Sequence, residues 1–490
     1  MNLGGCSARN GVAVVTTAIP QLAPEAWRLW IVTTCQTARA RLLALPTAAT
    51  AEGGRCVYAI LGLDTRNELR IAATTFPAGH AAYPALTPDL PEAQLFERVV
   101  YEQHGIFPEG HPWLKPVRTQ RDYPFFAVEG DAVHEVAVGP VHAGIIEPGH
   151  FRFQCHGEQV LHLEIALGYQ HRGASALLRV ATPARRAVVA ESLAGDTVIG
   201  HSWAYAQAIE GLAGVAVAHH AQQLRALALE LERLANHVGD LGALAADIGY
   251  LPAAAYFGRL RGEFLNLLME LTGNRYGRSL VYPGGVCHAF TAALRARCGT
   301  KLAEAERDLK AIADLFFAES TVVTRLEQTG VVAKKVARQL GLVGPAARAS
   351  NLLRDVRTDY PSGAYRFHYI PPVRLASGDV YARALLRVLE AQQALTFAAE
   401  QCRIVHRVEP GAPCESLAAD RLVVSLIEGW RGEIVHVVRT DAYGAIDAYD
   451  VVDPSFHNWM GLAWACRGGQ ISDFPLCNKS FNLSYAGHDL

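Results

Sequence analysis

The chain has 490 residues, of which 50% are hydrophobic and 19% charged, a composition that allows large buried cores in roughly two to four domains and excludes a disordered chain. The formal net charge is -2 at pH 7 and Lys and Arg form no dense block, so no nucleic-acid partner is expected. The sequence has neither the roughly 18 consecutive apolar residues of a membrane span nor the basic start of an export signal, so we expect no transmembrane segment of its own and no secretion.

The first predicted unit combines short strands with one helix. Residues 55–64 (RCVYAILGLD) and 67–76 (NELRIAATTF) are rich in β-branched residues and partly alternate, which favours strands. The apolar spacing of 92–106 (EAQLFERVVYEQHGI) fits an amphipathic helix, and 107–125, rich in Pro and aromatic residues, predicts an irregular connector. We therefore expect a small α+β domain and connector over residues 1–130.

A second, larger domain is predicted over residues 131–490. Alternation with turn signals over 133–170 predicts a small antiparallel sheet, and the Ala- and Leu-rich stretch 201–241 begins a mainly helical region. After that region, strands are predicted in 431–441 (RGEIVHVVRTD) alone. The expected fold class is α+β, in which a small α+β domain precedes a large, mainly α-helical domain with a small antiparallel sheet.

The ten cysteines are scattered, and no two of them are separated by two residues, which excludes a CxxC metal or redox motif. In a chain of this length, such thiols are most often small buried hydrophobic groups. A disulfide framework is not expected.

Many segments, all in one order, match two related protein families. The segment 95–116 (LFERVVYEQHGIFPEGHPWLKP) resembles the small peripheral-arm subunit of respiratory complex I. The large subunit shared by complex I and the membrane-bound (group 4) [NiFe] hydrogenases is similar to the following segments: LGYQHRG, ERLANHVGDLGALAADIGY, LTGNRYGRSLVYPGGV, LGLVGPAARAS, GDVYARALLRVLE, WRGEIVHVV and DFPLCNKSFNLSYAGHDL. The resemblance covers roughly residues 55–490 and has the fused order of formate hydrogenlyase.

The resemblance also shows where nickel ligands would lie. The family's ERVCGICxxxH-like segment matches 191–201 (ESLAGDTVIGH), and its DPCxxC-like segment matches 453–458 (DPSFHN). The four thiolate positions are then Ala194, Thr197, Ser455 and Asn458, none of which is a cysteine. Nickel and its iron partner require soft thiolate ligands, so we expect no metal in this chain and no hydrogenase activity of its own.

Complex I also lacks these cysteines, and the resemblance implies that the vacated cavity holds a quinone headgroup. The hairpin 139–152 (GPVHAGIIEPGHFR) places His142 and His150 as candidates for quinone contact, although a turn-stabilising role would explain both equally well. Arg431 and Asp453 are further cavity candidates, whereas a surface pair of Arg431 with Glu433 is the alternative for that arginine. The family's second quinone donor is a tyrosine that follows the HRG segment. No tyrosine lies between Tyr169 and Tyr205, so this donor has no counterpart there.

Asp196 and His201 are the catalytic candidates. Asp196 lies between two vacated ligand positions, and a carboxylate–imidazole pair with His201 could take up a proton when an acceptor is reduced. The alternative is that Asp196 caps the helix that follows it.

The resemblance implies a peripheral core subunit of a membrane-bound, complex I-like or formate-hydrogenlyase-like oxidoreductase. Electrons would pass from a [4Fe–4S] cluster in an iron–sulfur small subunit to a quinone or similar acceptor, above antiporter-like membrane subunits that move ions. The chain itself would bind no cofactor other than the quinone and would lie peripherally on the cytoplasmic face of the inner membrane. The alternative is a catalytically silent scaffold that couples the membrane arm to another activity.

The C-terminal residues 480–485 are expected to add a strand or to dock against a neighbouring subunit.

Overall fold

The computed structural model describes residues 4–79, 81–119, 123–142, 144, 146–405, 408, 414 and 416–490. Its α-helices are α1 (Pro24–Ala38), α2 (Gln94–His104), α3 (Ala174–Val180), α4 (Pro183–Ala190), α5 (Val198–Ala213), α6 (His219–Ile248), α7 (Leu251–Thr272), α8 (Ala292–Ala318), α9 (Ser320–Leu326), α10 (Lys334–Gln339), α11 (Gly344–Ala349), α12 (Val356–Asp359), α13 (Val380–Ile404), α14 (Pro454–Cys466), α15 (Phe474–Phe481) and α16 (Tyr485–Asp489). Its strands are β1 (Cys6–Ala8), β2 (Val14–Val15), β3 (Arg41–Ala44), β4 (Thr47–Ala49), β5 (Arg55–Leu63), β6 (Glu68–Phe76), β7 (Ala81–Pro84), β8 (Ile106–Glu109), β9 (Val133–Val138), β10 (His150–His156), β11 (Gln159–Ala166), β12 (Val281–Tyr282), β13 (Gly285–Val286), β14 (Arg421–Gly429), β15 (Gly432–Thr440) and β16 (Ile446–Val452).

The N-terminal part is built on an antiparallel sheet of order β1-β6-β5-β3, with β4 paired to β5. Strands β5 and β6 coincide with the two predicted runs and form the long central hairpin. Helix α1 covers the sheet, and its buried Trp27 donates an indole hydrogen bond to the carbonyl of Ala72, 3.3 Å away. Helix α2 matches the predicted amphipathic helix and ends at Gly105, whose φ of +68° suits glycine.

A second sheet, of order β16-β15-β14-β2, lies between the N-terminal part and the helices. Successive side chains of a strand point to opposite faces. On one face Val424, Leu426 and Val437 join the core of the N-terminal sheet, and on the other Val423 and Val438 join the core around α3, α4 and α5. Both faces of this sheet are therefore buried, and we call it the central sheet.

The sequence predicted only β15 of the long strands in this region, and that prediction was incomplete. Residues 421–429 (RLVVSLIEG) form β14, and 446–452 form β16. A strand buried on both faces has a continuous apolar run rather than alternation, and periodicity alone cannot separate such a run from a buried helix.

The remaining helices form the largest core. The 30-residue helix α6 packs against α7 and α13, and its buried leucines, such as Leu227 and Leu234, lie at helical spacing. The predicted sheet of 133–170 is observed as the antiparallel order β11-β10-β9 and packs against α14.

The chain end does not form the expected strand. Residues 474–481 and 485–489 are helices α15 and α16, and α16 is buried against α14 of the same chain. Asp489 accepts hydrogen bonds from the backbone N–H groups of Gly168 and Gln170, both at 2.8 Å. The C-terminal segment therefore packs against other parts of its own chain.

The structure confirms the α+β fold class, with more helix than strand and several small antiparallel sheets. The division into residues 1–130 and 131–490 stays a prediction; strand β2 of the first range pairs with β14 of the second. In the described ranges, no helix combines the length and apolarity that crossing a membrane requires.

Candidate functional site

Segments distant in sequence meet at one buried point. Helix α5 crosses the central sheet, and α14 begins beside it, directly after Asp453. Gly200 lets α5 approach β15 closely, since a Cβ atom there would stand 2.7 Å from Cδ1 of Ile434. His201 of α5, His436 of β15 and Asp453 are thereby brought together in the interior.

The two histidines and Asp453 are joined by hydrogen bonds. Nε2 of His201 lies 3.0 Å from Oδ2 of Asp453, and Nδ1 of His201 lies 3.1 Å from Nε2 of His436. Nδ1 of His436 lies 2.8 Å from the hydroxyl oxygen of Tyr449 on β16. None of these side chains is more than 3% exposed.

The environment sets the resting charges of this group. Burial alone would raise the pKa of Asp453, but the hydrogen bond from His201 and the charge of Arg431 outweigh it and hold that pKa below its usual range. Burial holds the pKa of His436 well below its usual range, and burial raises that of the Tyr449 phenol. The carboxyl is therefore ionised, the His436 ring neutral and the phenol protonated at neutral pH.

Asp196 does not meet His201. Its carboxylate instead accepts two hydrogen bonds from Arg431, at 2.5 Å and 2.7 Å. The guanidinium also lies 3.9 Å from the ring centroid of Trp430 and donates to the carbonyl of Asn482 at 2.5 Å. His201 takes Asp453 as its carboxylate partner because the N-terminus of α14, and not the loop before α5, faces the imidazole.

Other residues take the alternative roles considered for Asp196, the cap of α5, and for Arg431, a surface pair with Glu433. Glu232 of α6, not Asp196, caps α5, since its carboxylate accepts from the N–H groups of Ile199 and Gly200 at 2.7 Å and 3.2 Å. Glu433 does not pair with Arg431; it pairs with Arg41 of β3 at 2.8 Å. Burial raises the pKa of Glu232 to about 8.

The four positions matched to nickel ligands are all buried. The hydroxyl of Thr197 lies 3.2 Å from Nη1 of Arg431, and that of Ser455 accepts from the N–H of Ser484 at 2.9 Å. Asn458 exchanges two hydrogen bonds with the backbone of Val343, each 3.1 Å, and Ala194 has no polar side-chain atom. These methyl, hydroxyl and amide groups do not fit a tetrathiolate nickel–iron centre. Within the described ranges, His, Cys, Asp and Glu form no cluster of three or more suited to a metal ion.

The hairpin histidines lie apart from this buried group. The ring of His150, at the start of β10, packs edge-on against Phe125 at 4.8 Å between centroids. The ring of His142 lies 5.8 Å from Phe151 and 6.4 Å from Tyr485, and burial lowers the pKa of His142. A tyrosine ring thus lies beside this histidine, but it comes from α16 and not from residues 169–205, where the sequence analysis expected the second donor.

A carboxylate of the same hairpin lies near the Asp196–Arg431 pair. Glu147 accepts from the N–H of Ala486 at 3.3 Å. Its pKa is raised, first by burial and then by the charge of Asp196, while Arg431 lowers it. The Asp196 side chain is 32% exposed and that of Arg431 only 4%, so the pair spans from the interior to the surface beside the hairpin.

Sequence reasoning missed His436, Tyr449, Glu232 and Glu147 as members of the site. His436 had one available signal: it is a histidine at a buried position of the apolar run EIVHVV. No sequence signal pointed to Tyr449 or Glu232, since each lies far from its partner along the chain and no motif surrounds it.

Two family models match the chain. Residues 27–132 match the respiratory-chain NADH dehydrogenase 30 Kd subunit, and residues 247–421 match the respiratory-chain NADH dehydrogenase 49 Kd subunit. These matches confirm the resemblance drawn from the motifs, in the same order along the chain.

Curated relatives cover most of the chain. The membrane-bound hydrogenase subunit alpha of Pyrococcus furiosus is 28% identical over 71% of this chain and 85% of its own length. Formate hydrogenlyase subunit 5 of Escherichia coli is 26% identical over 89% of this chain and 82% of its own. The NADH-quinone oxidoreductase subunit 4 of Thermus thermophilus is 29% identical over 69% of this chain and 89% of its own.

Proposed function

We propose that this chain, which matches the 30 Kd and 49 Kd subunit families of the respiratory-chain NADH dehydrogenase in that order, is a peripheral core subunit of a membrane-bound oxidoreductase. It lacks a nickel–iron centre and takes part in passing electrons from an iron–sulfur partner to a quinone or similar acceptor, coupled to ion translocation. The relatives support this proposal, because they are named as subunits of a membrane-bound hydrogenase, formate hydrogenlyase and NADH-quinone oxidoreductase.

The Asp196–Arg431 pair is the observation that carries the acceptor site. A guanidinium that is almost wholly buried, yet reaches a partly exposed carboxylate, can stabilise negative charge that develops on an acceptor oxygen. His142, Glu147 and Tyr485 lie around this edge of the chain. An iron–sulfur subunit with a [4Fe–4S] cluster, docked over this face, would enclose an acceptor between the two proteins.

The localisation and the other partners belong to the same proposal. The chain would lie on the cytoplasmic face of the inner membrane, held there by antiporter-like membrane subunits. Within the described part of the chain, no helix is long and apolar enough to cross the bilayer.

One observation favours the second candidate, a catalytically silent scaffold. His201, Asp453, Ser455 and Asn458 are buried and are hydrogen-bonded within the chain, so side chains fill the region around the former ligand positions. A scaffold would use this closed network to hold α5, α14 and the central sheet as one unit.

Purification of the tagged chain from gently solubilised native membranes separates the two candidates. Electron transfer predicts that mass spectrometry finds an iron–sulfur small subunit together with antiporter-like membrane subunits, and that the preparation contains iron without nickel. Recovery of the membrane subunits with no iron–sulfur partner would instead support the scaffold.

The acceptor site is tested in the same complex with Arg431→Lys. Lysine keeps the charge but cannot bind Asp196 bidentately, so the reduction of a short-chain quinone should slow at least about tenfold. Arg259→Lys is the matched control, because Arg259 pairs with Asp308, whose 34% exposure is close to that of Asp196. Unchanged quinone reduction in Arg431→Lys would place the acceptor elsewhere.

A further inference from the structure

Four buried side chains form a continuous line across the central sheet. They come from β16, β15, α5 and the residue before α14. The members, in order, are Tyr449, His436, His201 and Asp453, with successive contacts of 2.8, 3.1 and 3.0 Å. We call this line the relay.

The relay has a defined hydrogen-bond direction. An ionised Asp453 can only accept, so Nε2 of His201 carries a hydrogen, and when that ring bears one hydrogen its Nδ1 accepts. His436 then donates from Nε2 to His201 and accepts at Nδ1 from the Tyr449 hydroxyl. In this arrangement each imidazole bears one hydrogen, and no polar ring atom in the line lacks a partner.

The two ends of the relay face different surroundings. The residues along a cavity of about 290 Å³ at the edge of β16 include Tyr449, Arg118, His171 and Arg179, and the Tyr449 hydroxyl is buried against His436 behind this cavity. At the other end, Asp453 lies beside Arg431, whose charge acts on its carboxyl group, and accepts from the N–H of Ser455 at 2.8 Å. A second tyrosine, Tyr205, and Arg186 are the further titratable groups that act on the outer end.

We propose that the relay lets Asp453 exchange one proton with water in the β16-edge cavity when an electron arrives at the acceptor beside Arg431. This inference rests on the proposed electron-transfer function. The added negative charge increases the proton affinity of the buried carboxylate, and the proton taken up compensates that charge. Oxidation of the acceptor reverses the transfer.

The transfer balances atom by atom. The O–H bond of Tyr449 breaks as Nδ1–H forms on His436; Nε2–H of His436 breaks as Nδ1–H forms on His201; and Nε2–H of His201 breaks as O–H forms on Asp453. A water molecule that enters from the cavity to the buried phenolate oxygen then returns a proton to it. Asp453 is now the donor, and every bond of the line runs in the opposite direction, so both states of the relay are fully hydrogen-bonded and no ring has to turn over.

Tyr449→Phe tests the relay, because it removes one hydroxyl and leaves the packing almost unchanged. In the purified complex, quinone reduction should slow about tenfold or more, and the solvent isotope effect of the wild type should change. The control is Tyr365→Phe, which removes a buried tyrosine hydroxyl that donates to Glu230, 2.6 Å away, outside the relay. It should keep the wild-type rate and isotope effect.

A second measurement needs no turnover. In the full chain labelled with ¹⁵N-histidine, and assigned with His201→Gln and His436→Gln, both rings should show the Nε2–H form. Tyr449→Phe should shift the Nδ1 resonance of His436, whereas Tyr365→Phe should not.

The outcomes separate the two proposals. If the wild-type complex reduces quinone and Tyr449→Phe does so at the same rate with the same isotope effect, the relay is overturned while the proposed function stands. If the wild-type complex reduces no quinone, the proposed function fails, and with it the coupling to an electron. The hydrogen-bond line is then judged by the nitrogen resonances, and a Nδ1–H or doubly protonated His436 would overturn it.

Discussion

The imidazole of His201 lies 3.0 Å from the carboxylate of Asp453, although 252 positions separate the two residues. Asp453 also caps α14, because its other oxygen accepts from the N–H of Ser455 at 2.8 Å. One carboxylate therefore ties the beginning of α5 to the beginning of α14.

Asp453→Ala should destabilise the protein by about 2–4 kcal/mol, because it leaves the buried His201 donor unsatisfied and removes the cap of α14. The pKa of Asp453 is depressed in the folded chain, so its contribution is present above the unfolded pKa and is lost as the pH falls through the folded value. Urea unfolding followed by tryptophan fluorescence should thus show a lower free energy of unfolding for the variant than for the wild type, and this difference should become smaller in acid. The control is Asp308→Ala, at a partly exposed ion pair, which should lower the free energy of unfolding by no more than about 1 kcal/mol. An equal loss in both variants would contradict a special stabilising role of Asp453.

Arg348→Met should be among the most damaging substitutions. Arg348 is fully buried and pairs with Glu390 and Glu428, each at 2.7 Å. Its loss leaves two buried carboxylates without their cation, at a cost of about 3–5 kcal/mol. The midpoint of thermal unfolding should fall steeply, whereas Arg297→Met, at an arginine 63% exposed, should change it little. A similar midpoint for both variants would show that the buried cluster does not stabilise the fold.

Glu232→Gln should change the pH dependence of stability. The pKa of Glu232 is raised by burial to about 8, so the folded chain holds a proton that the unfolded chain releases at lower pH. Stability from this group is present in acid and is lost as the pH rises towards the folded pKa. Between about pH 5 and pH 8, wild-type stability should fall relative to the variant, as measured by thermal unfolding in matched buffers. A stability difference between wild type and variant that stays constant across this pH range would refute the raised pKa of Glu232.

Gly487→Ala should loosen the contact between α16 and the site. A Cβ atom at this helical position would stand 2.6 Å from Cγ of Asp453, which both α14 and His201 hold in place. Such overpacking costs about 1–3 kcal/mol and should lower the thermal unfolding midpoint. Gly258→Ala is the control, since a Cβ atom on that exposed position of α7 meets nothing within 4 Å and alanine favours a helix. A midpoint that falls equally in the control would contradict the steric argument.

Much of the fold was predictable from local patterns. The long β5–β6 hairpin, helix α2 and the β9–β11 sheet follow from alternation, from helical spacing and from turn residues. Strands β14 and β16 were not predicted, because burial on both faces removes the alternation by which a strand is recognised.

The site was predictable in some of its members and not in its pairings. His201, Asp453, Asp196 and Arg431 were all named from the sequence, but the expected partner of His201 was Asp196. That expectation assumed that residues close in sequence face each other. The backbone turn before α5 instead points Asp196 towards Arg431 and the surface.

The sequence by itself determined that residues 27–132 are similar to the 30 Kd subunit family and residues 247–421 to the 49 Kd subunit family, because such likeness lies in residue identity and spacing. Only the tertiary structure decided that Asp453 binds His201 and that His436 and Tyr449 continue the line to the edge of β16. Hydrogen bonds between buried side chains depend on orientation within about an ångström. That orientation is set by how helices and sheet pack together, and no local pattern records it.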